Sequence, residues 1–139
     1  MKILVTGDKA WNDIDTIVKA FMLHAGQNVT IVEGECTGAD IMCRAVAEEL
    51  CFDVKKYPAI WRNEHDGYRH WAGVERNQRM LDDNPDIDVC YAFHNNIFSS
   101  KGTKDMLKRV IKKGVPWKLW TTNELAIEQL LDVQWFCSK

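Results

Sequence analysis

Short, nearly continuous apolar runs alternate with stretches of helical period along most of this chain, and few folds accept that alternation. Lys2-Ile-Leu-Val-Thr6 runs into Gly7-Asp8, Val29-Thr-Ile-Val-Glu33 into Gly34, and Phe52-Asp-Val-Lys-Lys-Tyr57 into Pro58. Residues 87–93 and Val115-Pro-Trp-Lys-Leu-Trp120 complete five strand-like runs. Mostly apolar runs suit strands buried on both faces, as in a parallel sheet. Between them, Ile14, Ile17, Val18, Phe21 and Met22 fall at helical spacing over 13–25, with Gly26 as a stop. Ile41, Met42, Ala45, Val46 and Leu50 do the same after Thr37-Gly-Ala-Asp40, where Thr37 reads as an N-cap and Asp40 as its partner at N3. Helices are also expected over 72–82 and about 101–113, and a short amphipathic one over Asn123–Val133. Pro116 suggests an edge position for the fifth strand. The expected fold is a doubly wound, Rossmann-like α/β sandwich: a mainly parallel five-stranded sheet with helices on both faces.

With 139 residues, the chain is expected to form one domain over 1–139, with its core in about 1–120 and a C-terminal helix and tail beyond. The net charge of −2 gives no global attraction to a nucleic-acid backbone. The opening MKILVTGDKAW is too short for a signal-peptide core and no stretch approaches a membrane span, so a cytoplasmic protein with no membrane partner is expected. Five cysteines, an odd number without a C-x-x-C pair, read as free thiols.

Ligands of such sheets bind at the carboxyl ends of the strands. Three turns there are rich in glycine and hydroxyl residues: Thr6-Gly7-Asp8, residues 34–40, and Ser99-Ser-Lys-Gly-Thr103. Each is either a tight turn with a helix cap or a cradle for an anion at a helix N-terminus. Three on one edge favour a site. No Walker A loop and no G-x-G-x-x-G is present. In the long connection of residues 58–72, Trp61, Tyr68 and Trp71 either stack on a base or anchor the loop. Glu64, His65, Asp66 and His70 read as a polar lid, a metal being the minor reading, so neither metal nor cofactor is expected.

Five motifs occur in order: V-T-G-D-K-A-W at the start, G-x-x-x-G-A-D at 34–40, Y-P-A-x-W at 57–61, A-G-x-x-R-N-x-x-M at 72–80 and S-x-G-T at 100–103. Together they resemble the YspA-related branch of the SLOG superfamily, the Rossmann-like group that includes the DprA and LOG proteins. The resemblance extends to about residue 120. It implies a nucleotide-derived small-molecule ligand and a homodimer or larger homo-oligomer. It also implies that Gly7 and Asp8 lie beside the ligand, with Trp11 against it or the core. Gly34, Gly38 and Asp40 form a second wall in this reading, and Arg76 and Asn77 are the family's R-N pair; Thr37 and Trp61 are further ligand-binding candidates. Ser99, Ser100, Gly102 and Thr103 fall on the phosphate-binding loop of the LOG enzymes.

Those enzymes carry a catalytic glutamate three residues after the threonine of that loop, where this chain has Met106. Asp105 lies one residue earlier, about 100° around a helix. Asp8, Asp40, Arg76 and Asp105 are the candidates should the ligand be turned over. The expected function is binding of a phosphorylated nucleotide derivative as sensor or sequestering protein. The alternatives are N-glycoside hydrolysis of a nucleoside monophosphate and DprA-like single-strand binding, which the net charge disfavours.

Overall fold

The computed structural model describes residues 1–63, 67–68, 71–122 and 126–127. In chain order the elements are β1 (Lys2–Gly7), α1 (Ile14–Met22), β2 (Thr30–Glu33), α2 (Ala39–Glu49) and β3 (Asp53–Lys56). A small hairpin follows, β4 (Arg62–Asn63) and β5 (Gly67–Tyr68), then α3 (Ala72–Asp83), β6 (Val89–Phe93), α4 (Gly102–Lys113), β7 (Trp117–Trp120) and β8 (Ala126–Ile127). The main sheet has the order β3-β2-β1-β6-β7-β8. Its first five strands are mutually parallel, with Leu4 opposite Val32 on one side and Cys90 on the other. The five expected strands and the doubly wound α/β architecture are therefore present.

Alternate residues of each central strand feed two cores. Ile3, Val5, Ile31, Tyr91 and Phe93 pack with Ile17, Phe21, Cys43 and Val46 of α1 and α2. Leu4, Val32, Cys90 and Ala92 pack with Met80, Leu81, Met106, Leu107 and Val110 of α3 and α4. Strands covered on both faces explain why their sequences read as apolar runs rather than as alternations. Truncating any of the fully buried Leu4, Leu81 or Leu107 to alanine would cost about 2–5 kcal/mol.

Several expectations need correction. Residues 126–127 are not helical but pair antiparallel with β7, Leu119 opposite Ile127; the remainder of the expected 123–133 helix lies outside the described residues. That pairing places β7 inside the sheet, not at its edge. Pro116 precedes β7 by one residue, at the strand entry where proline is tolerated, and offers its carbonyl to the Cys90 N–H (2.9 Å). The expected N-cap of α2, Thr37, stands one residue too early: Gly38 is the N-cap and makes no side-chain bond. The four described cysteines, 36, 43, 51 and 90, are free thiols. No helix among the described residues is long and apolar enough to cross a membrane.

The chain leaves β1 toward β2 on one side and returns, after β3, to β6 on the other. The β1–β6 junction is thus where the winding reverses, and there the C-terminal strand ends splay to leave a crevice.

Candidate functional site

A cavity of about 720 Å³ occupies that crevice. Its wall draws on the turn after β1 (Thr6 to Lys9), on Cys36 and Asp40, on Arg76 and Asn77 of α3, on His94, and on residues 99–103.

The β1 turn is built by Asp8. Its Oδ1 accepts the Ala10 N–H (2.9 Å), and its carbonyl accepts the amides of Trp11 (3.0 Å) and Ala39 (3.1 Å). The last bond draws the N-terminus of α2 against the turn. Only glycine fits at 38: φ is +77°, and an added Cβ would stand 2.5 Å from the Asp8 carbonyl oxygen. Gly7 closes the same junction, since a Cβ there would meet Ala39 Cβ at 2.5 Å and the Phe93 carbonyl oxygen at 2.7 Å. Trp11 goes to the core, not to the cavity. It is 4% exposed, lies edge-on to Phe93 with centroids 5.8 Å apart, and its Nε1–H donates to the Asp13 carbonyl. Thr37 donates weakly to the Lys9 carbonyl (3.4 Å) and stays off the cavity wall.

Asp40 turns back instead of pairing with Thr37. Its Oδ2 accepts the amides of Gly34 (3.2 Å) and Cys36 (3.4 Å), while Oδ1 is buried with no partner among the described residues. Burial pushes its carboxyl up to about 6, against the nearby Arg76 guanidinium and the two amides, which pull it down. Glu33, at the end of β2, is wholly buried and pushed up to about 7 for the same first reason.

Arg76 is the buried cation of the site, 8% exposed, beside Lys9 and Lys101, which also line the cavity. Its Nη1–H donates to the Gly34 carbonyl (2.6 Å) and its Nε–H to Asn77 Oδ1 (3.1 Å). Among the described residues its Nη2 finds only the Cys36 sulfur, at 3.6 Å, a weak acceptor. A Cβ at Gly34 would come within 2.6 Å of Nη1, so the guanidinium lies flat on bare backbone. Asn77 passes the constraint on: its Nδ2 donates to Asp105 Oδ2 (3.0 Å) and to the Gly102 carbonyl (3.2 Å). Asp105 also accepts from Arg109 Nε (2.9 Å) and does not line the cavity. As a catalytic candidate it is misplaced, because its carboxylate is committed to locking α3 onto α4. Met106 is fully buried in the second core, so its helix position faces away from the cavity.

Ser99-Ser-Lys-Gly-Thr103 is a cap. Ser100 Oγ accepts the amides of Thr103 (3.1 Å) and Lys104 (3.4 Å), and Ser99 Oγ donates to the Asn96 carbonyl. Among the described residues the amides of Lys101 and Gly102 have no such partner, and both residues line the cavity. Two free N–H groups thus remain at the positive end of α4.

His94 escaped the sequence reading. It follows the last residue of β6, is 8% exposed and lines the cavity. Burial lowers its pKa and the nearby Asp8 raises it, lowering winning. Its position directly after a central strand was the available signal. Trp61, 45% exposed, lines the cavity and is stacked on Tyr68 with 6.2 Å between centroids and 13° between planes. Trp71 is exposed and does not line the cavity. Glu64, His65, Asp66 and His70 lie outside the described residues; among those described no cluster of three metal-binding side chains exists.

No family model and no curated protein matches this chain. The X-ray structure of DNA processing protein A (DprA) from Streptococcus pneumoniae is similar over 99% of the chain, with 12% sequence identity and a TM-score of 0.66. The chain spans about half of that protein, 54% of its length. Identity this low speaks to architecture alone: the chain folds as a DprA-like, doubly wound α/β domain.

Proposed function

We propose that the cavity binds a phosphorylated, nucleotide-derived small molecule, and that the protein senses or sequesters it. One observation carries this reading: the buried Arg76 guanidinium lines the same cavity as the two free amides at the start of α4. Both are donors only, and a phosphate group offers several acceptor oxygens. The volume of about 720 Å³ suits a small organic ligand. Exposed Trp61 supplies an apolar face for a base. Hydrolysis of an N-glycosidic bond finds less support, because Met106 is in the core and Asp105 is committed to Asn77 and Arg109. Asp8 and Asp40 are the carboxylates that remain on the wall.

Calorimetric titration with a panel of nucleoside mono- and diphosphates tests the proposal, with released base assayed in parallel. At least one nucleotide binds wild type. Arg76→Ala weakens it about 10- to 100-fold, the loss expected for a charge-assisted hydrogen bond from the guanidinium, and Arg76→Lys falls between. A folded Arg76→Ala that binds as wild type does refutes the placement of the anion.

A second reading, single-stranded nucleic-acid binding, is supported by the likeness in fold to a DNA processing protein and by the exposed Trp61–Tyr68 stack. Tight oligonucleotide binding without any mononucleotide binding would favour it. The resemblance in sequence further leads us to expect a homo-oligomer, readable by light scattering.

A further inference from the structure

Asp8 and His94 face one another across the β1–β6 junction and are held by separate anchors. The Asn96 N–H donates to His94 Nδ1 (2.9 Å), which assigns the proton of the neutral ring to Nε2. Asp8 Oδ1 is occupied by the Ala10 N–H, leaving Oδ2 turned toward the histidine. Nε2 and Oδ2 stand 3.8 Å apart, too far for a direct hydrogen bond, and Nε2 has no hydrogen-bond partner among the described residues. Both residues line the cavity, and the histidine is more than nine-tenths buried.

The gap has the size of one atom. An oxygen about 2.8 Å from each would see them at an angle of about 85°, within reach of bent hydrogen bonds. That oxygen must accept from Nε2–H and donate to a carboxylate. A hydroxyl does both from a single atom; carbonyl and phosphate oxygens carry no proton for Asp8, and an ammonium cannot accept. A primary amide divides the two roles between separate atoms.

We infer that Asp8 and His94 form a hydroxyl-binding clamp, and that it receives a sugar hydroxyl of the ligand. This rests on the phosphate-binding reading above and deepens it, since the ligand class becomes a ribosyl phosphate rather than its deoxy counterpart. Asp8 is then an acceptor for the sugar, and His94 a specificity-determining donor, with Arg76 and the α4 amides left to the phosphate.

The test titrates the four ribonucleoside 5′-monophosphates into the protein and, for each that binds, its 2′-deoxy and 3′-deoxy analogues. One of the two deoxy analogues is expected to bind at least about 10-fold more weakly, the loss of a hydrogen bond to a charged group. In His94→Phe, and independently in Asp8→Asn, the ribo-to-deoxy ratio falls toward one; thermal melts establish that each variant is folded. Equal binding of ribo and both deoxy nucleotides overturns the clamp and leaves phosphate binding standing. A ratio that persists in either folded variant also overturns it. Absence of binding by any nucleotide or by inorganic phosphate overturns the clamp together with the reading on which it rests.

Discussion

Glu33→Gln tests the electrostatics of the β2 end most directly. The wild-type side chain is fully buried; Oε2 accepts the Glu35 N–H at 2.9 Å and Oε1 has no partner among the described residues. Burial raises its carboxyl from 4.5 to about 7. Between those values the folded state keeps a proton that the unfolded chain has released, so stability falls as pH rises. The whole span is worth roughly 3 kcal/mol at 1.36 kcal/mol per pH unit, and the part between pH 5 and 8 is roughly 2–3 kcal/mol. Glutamine keeps an acceptor for the Glu35 amide but leaves an amide group where the orphan oxygen was, a cost of about 1–3 kcal/mol at every pH. The informative quantity is therefore a difference of differences. Urea unfolding of both proteins at pH 5 and pH 8 should show the wild-type loss shrinking by roughly 2–3 kcal/mol in the variant. Asp40, raised to about 6, contributes in the same direction to both proteins and largely cancels. An unchanged pH dependence in Glu33→Gln would refute the argument that Glu33 is forced to ionise in a dry site.

Gly38→Ala should destabilise by about 2 kcal/mol or more in thermal melts, because its φ is +77° and the new Cβ meets the Asp8 and Lys9 carbonyls. Ser100→Ala should cost about 1 kcal/mol of stability through loss of the α4 cap. Met106→Glu, which restores the acid of the hydrolase motif, should yield no base release and lower stability by about 3 kcal/mol or more, since position 106 is in the core.

The elements were legible because each is announced locally. Two-faced burial wrote Ile3, Leu4 and Val5 as one apolar run, and helical period marked α1 to α4. What escaped depends on partners distant in sequence. Asp105 looked like a spare acid beside the loop, yet its carboxylate is held by Asn77, 28 residues away. Thr37 and Asp40 had the spacing of a capping pair, but the Asp8 carbonyl captures the Ala39 amide and Asp40 binds the Gly34 turn instead. Ser99-Ser-Lys-Gly-Thr103 admitted a cap or a cradle from sequence; the Ser100 bonds make it a cap and leave two amides over. The two-residue β8 gives no periodicity to read at all, and it falls where an amphipathic pattern suggests a helix.

The far edge of the sheet bears on how copies of this chain can meet. β3 lies outermost and reads Asp53-Val-Lys-Lys56, with both lysines and the aspartate exposed. A second sheet adding its outer strand there would have to accommodate the exposed charges of Asp53, Lys55 and Lys56. Charged, four-residue borders of this kind are how β proteins prevent open-ended stacking into fibres. Strand addition at this border is thereby disfavoured.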